Sequence, residues 1–271
     1  MDIENISIIL RYVKEGNVHE DLIDMEATKN LHATAISNTV LQCLRQLGVD
    51  PNFILSQCYD GASVMAGIHG GVQRKLQDAL GKFIPYVHCF NHQLHLVVIH
   101  TISSINEVKQ FFGICESLYT FTRRPNISIC YDGEKLKRLL TQRWSGHLVS
   151  LETIIASHNH LIDLFEACKM SQNLDADTMV QATGLLKWIR RKDFVFLALA
   201  LRDVLNLIQP ANLCLQSRNR DLLSACEIVS AVTESLKNMR TDEHVQRFLD
   251  NCSNYNVKAS DYSRKRRPPA R

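Results

Sequence analysis

The chain has 271 residues, 45% of them hydrophobic, which suffices for one large or two smaller globular domains and excludes a disordered chain. Its 31 Lys and Arg against 28 Asp and Glu give a net charge of +3. The chain therefore lacks the global basic field that non-specific nucleic-acid binders often carry, and any DNA contact must be local. Nine widely spaced cysteines indicate reduced thiols in a cytosolic or nuclear protein rather than a secreted disulfide framework.

The first third of the chain alternates strand and helix patterns. Residues 6–13 and 18–25 read as strands joined by a KEGN hairpin turn, and residues 34–49 read as a helix with Gly48 at its C-terminal cap. A strand is predicted over 52–59, a helix over 70–81 ending at Gly81, and a further strand over 83–90. This order predicts a mixed α/β sheet with crossover helices.

From about residue 91 onward the strand signal disappears and helical patterns follow one another. The predicted helices cover residues 92–102, 106–121, 134–144, 148–168, 177–191, 195–208 and 224–239. We expect three regions: a sheet-containing domain over 1–104, a helical domain over 105–252, and a disordered basic tail over 253–271.

Two segments bear on targeting. The first sixteen residues open with acids and lack a cationic region followed by a long apolar stretch, so we expect no secretory signal there. Residues 194–208 are strongly apolar, but Arg202 and Asp203 interrupt them and the segment is too short to span a bilayer. We expect a buried helix and no membrane association.

Asp60 lies where a predicted strand stops, in the stretch QCYDGASVMAG. One interpretation is a solvated turn aspartate, since Asp-Gly is a common turn signal. The other is a metal-binding carboxylate, since ligands collect at the carboxyl ends of strands in α/β sheets and Mg²⁺ prefers oxygen ligands. A two-metal phosphoryl-transfer site needs several converging carboxylates, which one aspartate cannot supply.

The stretch VHCFNHQLHLVVIH contains a second group of candidate ligands. Cys89, His92 and His95 are spaced by three residues and fall on neighbouring faces if a helix begins near Asn91. Zinc accepts such ligands, but a structural site usually draws four from two separated pairs, and no second pair follows. The alternative is a strand-to-helix junction without metal, in which Cys89 packs in the core.

Two features offer nucleic-acid contacts. Arg143 and Trp144 could stack on a base or contact a phosphate, or Trp144 could be a core anchor beside a solvated arginine. The tail SRKRRPPAR includes Arg264, Lys265, Arg266 and Arg267. This cluster indicates a nuclear-import signal or a phosphate-contacting tail, with a solvated terminus as the alternative.

Taken together, ISIILRYV, the Cys-Tyr-Asp-Gly-Ala turn, the glycine-containing helix, YVHCFNHQLHLVV and QRW resemble the hAT superfamily of DNA transposases. The likeness extends over roughly residues 1–250 and points to the transposon-derived branch that includes the MYM-type zinc finger protein 1-like proteins. It implies a partial RNase H-like mixed sheet with a large all-helical insertion domain. It also implies that Asp60 matches the second of three acids that hold two Mg²⁺ ions in the family. Cys89 and His92 match its Cys-x-x-His element, and Arg143 and Trp144 match its Arg-Trp element.

The sequence also departs from the family pattern. Asp2 resembles the last acid of the segment that holds the first aspartate in the family, and we do not assign it to a metal site. The third acid, a glutamate, has no counterpart, because Glu227 and Glu234 lie in ordinary helical patterns. The missing first strand is expected to leave ISIILRYV as an exposed sheet edge.

Three functions therefore remain open. The first is a transposon-derived, catalytically inactive and nuclear hAT remnant that retains nucleic-acid or protein binding, with Asp60 vestigial. The second is an active Mg²⁺-dependent DNA transposase or nuclease in which another acid completes the site. The third is a nuclear protein-interaction module. We expect no cofactor in the first case and Mg²⁺ in the second; the oligomeric state does not follow from the sequence.

Overall fold

A computed structural model describes residues 3–139, 144–218 and 221–257. The chain divides into two compact units. One is formed by the chain up to Val97 together with Asn212–Ala225, and the other by Val98–Ala211 together with the segment from Cys226 onward. The boundary predicted at 104/105 stays a prediction.

The described elements alternate in type at first and are then helical. The strands are β1 (Glu4–Lys14), β2 (Asn17–Thr28), β3 (Gln57–Tyr59) and β4 (Tyr86–His88). The helices are α1 (Ala33–Gln46), α2 (Ser63–Ala66), α3 (Val72–Leu80), α4 (Phe90–Ser104), α5 (Asn106–Thr122), α6 (Pro125–Ser128), α7 (Ser145–Ala156), α8 (His158–Met170), α9 (Ala176–Ile189), α10 (Lys192–Gln216), α11 (Leu222–Asn238) and α12 (Asp242–Asn251). Mixed α/β architecture is confirmed.

The predicted hairpin is confirmed. β1 and β2 pair antiparallel, and Lys14 lies opposite Asn17 across a two-residue turn. Both turn residues have left-handed backbone, with φ of 53° at Glu15 and 78° at Gly16, as a tight hairpin turn of this length requires. A register shift between Ile8 and Ile9 adds one residue to β2.

The glycines in the sequence also predict the ends of two helices correctly. α1 is followed by Gly48 with φ of 70°, and α3 is capped by Gly81 with φ of 61°. Both glycines adopt the left-handed conformation that ends helices and that other residues avoid.

The described residues form two separate two-stranded sheets instead of the one mixed sheet predicted. β1 and β2 form the antiparallel sheet, and β3 and β4 form a parallel one. β3 and β4 are only three residues long because other local structure occupies their ends. Pro51–Phe53 is a 3-10 turn, capped by the Asp50 side chain, and α4 already begins at Phe90.

One helical layer holds both sheets of the first unit. Ile36 and Leu41 of α1 pack with Val72 and Leu76 of α3, and Ile6 of β1 and Tyr59 of β3 contact this cluster. The end of β3, where Asp60 follows, is therefore fixed against α3 rather than held by a wide sheet.

Two helix predictions in the second unit are wrong. Residues 134–139 of the predicted helix over 134–144 are not helical, although Leu136 and Leu139 are buried. Their apolar spacing serves tertiary packing of an irregular segment instead. The single helix predicted over 148–168 is two helices, α7 and α8, which meet at Ser157, whose hydroxyl accepts a hydrogen bond from the Glu134 N–H at 3.0 Å.

α10 is longer than predicted. Its 25 residues make it, by length and composition alone, long and apolar enough to cross a membrane, so the prediction that this segment is too short is wrong. Buried side chains recur along it at helical spacing, including Val195, Leu199, Leu205 and Ile208. This pattern is typical of the core helix of a globular protein.

The predicted tail begins inside ordered structure. Cys252–Asn254 is a 3-10 turn, and the Cys252 side chain is fully buried. Residues 258–271 lie outside the described residues, so the predicted disorder of the basic cluster stays a prediction.

Candidate functional site

β3 is anchored by a buried amide. The Gln57 side chain is buried, and its Nε2 donates to the main-chain oxygens of Gln73 at 3.1 Å and Ile84 at 3.0 Å. The Tyr59 hydroxyl donates to Gln57 Oε1 at 3.1 Å. The amide thereby ties β3 to α3 and to Ile84, two residues before β4, which fixes the backbone from which Asp60 projects.

Asp60 follows β3 directly, in a tight turn. Its side chain is exposed, and Oδ1 accepts a hydrogen bond from the Ala62 N–H at 3.1 Å. Its main-chain oxygen accepts a hydrogen bond from the Tyr86 hydroxyl at 2.8 Å, which couples the turn to β4. The solvated turn that the sequence offered as one interpretation is thus present, at the carboxyl end of a parallel strand as the other interpretation required.

Gly61 lies against the imidazole of His88. A β-carbon at position 61 would lie 2.6 Å from His88 Cε1 and 3.0 Å from Nε2, closer than side chains approach each other. His88 Nε2 is buried and has no hydrogen-bond partner among the residues that the structure describes. The glycine therefore permits a histidine ring at the end of β4 to close over the turn that carries Asp60.

Aromatic and histidine rings form a row from β3 through β4 to α4. Ring centroids are separated by 6.0 Å between Tyr59 and Tyr86, by 6.5 Å between Tyr86 and His88, and by 5.7 Å between His88 and His92. His95 follows at 6.2 Å from His92. Burial, the neighbouring Cys58 and Tyr86 raise the pKa of the Tyr59 hydroxyl above its ordinary value, in that order, so this tyrosine stays protonated.

Cys58 on β3 and Cys89, directly after β4, carry neighbouring thiols. Burial raises the pKa of the Cys58 thiol, and the adjacent Cys89 thiol raises it further. The Cys89 N–H donates to the Tyr59 main-chain oxygen at 2.9 Å, which continues the pairing of β3 and β4 by one residue. Burial therefore keeps the Cys58 thiol protonated, not the thiolate that binds metals or attacks electrophiles.

The predicted metal ligands are Asp60, Cys89 and His92. α4 begins at Phe90, close to the predicted start near Asn91, and places Cys89 and His92 at a strand-to-helix junction. Within residues 3–139, 144–218 and 221–257, no three His, Cys, Asp or Glu side chains form a group that could hold a metal ion. Asp60 brings one carboxylate, which does not fit the demand of two Mg²⁺ ions for several. The zinc assignment stays a prediction.

The predicted nucleic-acid residues lie elsewhere in the chain. Trp144 is 2% exposed, so it is the core anchor that the sequence offered as the alternative to a base-stacking residue. Arg143 and the cluster Arg264, Lys265, Arg266 and Arg267 lie outside the described residues, as does Asp2. Glu227 and Glu234 are exposed on α11, and Glu234 pairs with Lys237 at 3.7 Å.

Sequence reasoning missed Gln57 and Gly61. Gln57 is a polar residue within the predicted strand over 52–59, and its burial depends on packing against α3 that no local pattern shows. The sequence identifies Gly61 only as half of an Asp-Gly turn pair, whereas its close approach to His88 depends on pairing across β3 and β4 that no local pattern shows.

Comparison with known families concerns the N-terminal part of the chain, up to residue 71. Residues 2–71 match the family model DUF4371, described as ZMYM1/FAM200, RNase-like domain. The matched segment contains the hairpin, α1, β3, Asp60 and α2, and ends before β4, Cys89 and His92. The resemblance to transposon-derived MYM-type zinc finger proteins is thereby confirmed at residues 2–71, where the chain is similar to the ZMYM1/FAM200 RNase-like domain.

Proposed function

We propose that the chain is a transposon-derived hAT-type scaffold: a partial RNase H-like domain with a large helical insertion, which binds nucleic acid or protein in the nucleus without cleaving DNA. The order of an antiparallel hairpin, α1 and then β3 followed by Asp60 supports the RNase H-like assignment. The family match covers the same elements. The helices from α5 onward supply the proposed insertion.

The arrangement around Asp60 carries the proposal that cleavage is lost. Asp60 uses one carboxylate oxygen to cap its own turn, and burial keeps the nearby Cys58 thiol protonated. The described residues offer it no group of three ligands. Two divalent ions about 4 Å apart need several carboxylates to neutralise and hold them, so we assign Asp60 a vestigial role.

The test is calorimetric titration of Mg²⁺ and Mn²⁺ into the 271-residue chain and its Asp60→Ala variant. Asp50→Ala is the matched control, because Asp50 is also exposed and its Oδ1 accepts from a main-chain N–H two residues later, that of Asn52, at 2.9 Å. We expect the three proteins to give the same weak, non-saturating heats. We also expect none of them to cleave DNA in the presence of either metal.

Saturable binding that disappears in Asp60→Ala and persists in Asp50→Ala would contradict the proposal. It would mean that further carboxylates complete a site at Asp60, and the active transposase or nuclease would become the better assignment. Saturable binding that all three proteins share would place a metal elsewhere and leave the vestigial role of Asp60 standing.

The nucleic-acid part of the proposal rests on the basic cluster at residues 264–267. With a net charge of only +3, DNA binding must come from such a local concentration of cations. Replacing these four residues by glutamine should weaken DNA binding and reduce its salt dependence by about 0.9 logarithmic units per lost phosphate contact. The matched control neutralises four exposed lysines elsewhere, namely Lys14, Lys29, Lys135 and Lys169.

If the cluster variant and the control lose the same amount of DNA affinity, DNA binding depends on net charge and not on the cluster. Absence of salt-sensitive DNA binding in the wild type would leave protein binding as the retained function. The same cluster variant, expressed in cells as a fluorescent fusion, tests nuclear import: we expect nuclear accumulation of the wild type and its loss in the variant.

A further inference from the structure

Two thiols lie together beside the turn that carries Asp60. β3 and β4 pair in parallel with Cys58 opposite Val87, and Cys89 stands two residues beyond Val87. The Cys89 N–H donates to the Tyr59 main-chain oxygen at 2.9 Å, so the pairing extends to Cys89. Because side chains alternate along a strand, Cys58 and Cys89 lie on the same face of this sheet. The Cys89 thiol is a hydrogen-bond partner of the Cys58 thiol.

The pair lies on the face of the sheet that α1 and α3 do not cover. Gln57 is buried and Tyr59 packs against the cluster of α1 and α3, so Cys58 between them points the other way. Cys58 is an exposed residue whose thiol is partly desolvated beside Cys89, and Cys89 is half-buried. A small reagent can reach this pair, whereas five other thiols are buried, namely Cys43, Cys115, Cys168, Cys214 and Cys252.

The other two exposed thiols are placed differently. Cys226 lies on α11, and Cys130 lies in the loop after α6. Cys130 raises the pKa of the Cys168 thiol, which is buried within α8, so these two residues form the competing pair. The competing pair combines an exposed thiol with a buried one, whereas Cys58 and Cys89 are held together by paired strands.

We propose that Cys58 and Cys89 form a redox modification site, at which a small disulfide of the glutathione type converts the two thiols into one intramolecular disulfide. The cysteine pattern of the chain favours a reducing compartment, where protein disulfides are usually transient and redox-sensing. We therefore expect a reversible bond that follows the glutathione redox state. The site is independent of the function proposed for Asp60.

The oxidation takes two thiol–disulfide exchange steps. In the first, the Cys89 thiol gives up its proton and attacks one sulfur of the glutathione disulfide. A bond between Cys89 and glutathione forms, the glutathione S–S bond breaks, and the departing glutathione takes the proton. In the second step, the Cys58 thiol gives up its proton, attacks Cys89 Sγ and displaces the second glutathione, which takes that proton. The protein loses two electrons and the glutathione disulfide gains them, so no other oxidant is needed.

The surroundings of Cys58 set the order of these steps. Burial keeps the Cys58 thiol protonated at rest, so attack on a disulfide from solution falls to Cys89. The second step is intramolecular, and the closeness of the two sulfur atoms compensates for the small thiolate fraction at Cys58.

The bond would also change the stability of the chain. It closes a loop from residue 58 to residue 89, which contains Asp60, α2, α3 and β4. A crosslink of this kind restricts the unfolded chain. Oxidation should therefore shift the midpoint of urea unfolding to a higher urea concentration.

Disulfide mapping of the folded 271-residue chain tests the proposal. The chain is incubated with oxidised glutathione and a metal chelator, free thiols are blocked, and the tryptic peptides are analysed by mass spectrometry. Cys58 and Cys89 are the single cysteines of the tryptic peptides 46–74 and 83–109. We expect these two peptides to be linked after oxidation and separate after treatment with dithiothreitol.

Three variants assign the bond. Cys58→Ser should lose the link and keep glutathione on Cys89, because the second step then lacks its thiol. Cys89→Ser should also lose the link. Cys226→Ser is the matched control, since it removes an exposed thiol from α11, and it should keep the link. Circular dichroism establishes that each variant is folded, and the mapping of the wild type decides the proposal if a variant is not.

Peptides 46–74 and 83–109 that stay unlinked in excess oxidised glutathione would overturn the proposal. A link that instead joins Cys130 to Cys168, or joins two separate chains, would also overturn it. So would a glutathione adduct that persists on Cys89 in the wild type, since Cys58 would then be placed too far away to displace it.

Discussion

A β-carbon at position 61 would lie 2.6 Å from Cε1 of His88, so the turn that carries Asp60 is closed by a histidine from the next strand. The contact joins two parts of the chain whose relationship rests on the parallel pairing of β3 and β4. It also makes residue 61 a sensitive probe of the site, since any side chain there must displace the ring.

We expect Gly61→Ala to displace the His88 imidazole and to destabilise the chain by about 1–3 kcal/mol, the usual cost of overpacking. Urea unfolding gives the stability, and the imidazole resonances of His88 report the displacement. Gly70→Ala is the matched control, because a β-carbon at Gly70 meets nothing within 4 Å. His88→Ala should remove most of the penalty of Gly61→Ala in the double variant; additive losses would show that the two residues are not in contact.

The amide of Gln57 should matter for stability as much as an apolar core residue. In Gln57→Leu, the main-chain oxygens of Gln73 and Ile84 lose their donor inside the fold. We expect a loss of about 1–3 kcal/mol in the free energy of unfolding, the cost of leaving a buried acceptor unsatisfied. Gln46→Leu, at an exposed position of α1, should change it little. Equal effects in the two variants would mean that the Gln57 hydrogen bonds contribute nothing net.

The parts of the fold that follow from the sequence are those set by neighbouring residues. The hairpin follows from KEGN, and the ends of α1 and α3 follow from Gly48 and Gly81, because left-handed backbone favours glycine wherever it occurs. Asp60 at the end of a strand also follows from neighbouring residues, since the Asp-Gly turn directly follows the strand predicted over 52–59.

The parts that do not follow depend on distant residues. Leu136 and Leu139 have helical spacing, yet they are buried without forming a helix, because apolar spacing records which residues need burial and not the backbone that buries them. The same holds for Trp144, whose burial depends on surrounding helices. An Arg-Trp pair in the sequence does not reveal whether the ring meets a base or a core.

Trp144 therefore provides a prediction that separates structure from recognition. We expect Trp144→Ala to destabilise the chain by about 3–5 kcal/mol, as truncation of large buried side chains does. Trp144→Phe should stay folded and bind DNA with the affinity of the wild type, since the ring at position 144 is 2% exposed. Folding is measured by chemical denaturation and binding by fluorescence anisotropy. A folded Trp144→Phe variant with impaired DNA binding would restore the base-stacking role.

His158 should make the stability of the chain depend on pH. It is 3% exposed, its Nε2 is 2.9 Å from the Ile189 main-chain oxygen, and burial lowers its pKa below the ordinary value near 6.5. The folded chain therefore favours neutral imidazole. The contribution of His158 to the free energy of unfolding is complete above pH 6.5 and declines as the pH falls towards the lower folded pKa.

Unfolding by urea at pH 7.5 and at pH 5.5 should show a drop in stability for the wild type. The drop should be smaller in His158→Gln, which keeps a donor near Ile189 but cannot gain a proton. His160→Gln, at an exposed position of the same helix, should retain the full drop; an equal drop in all three proteins would show that other groups govern the pH dependence.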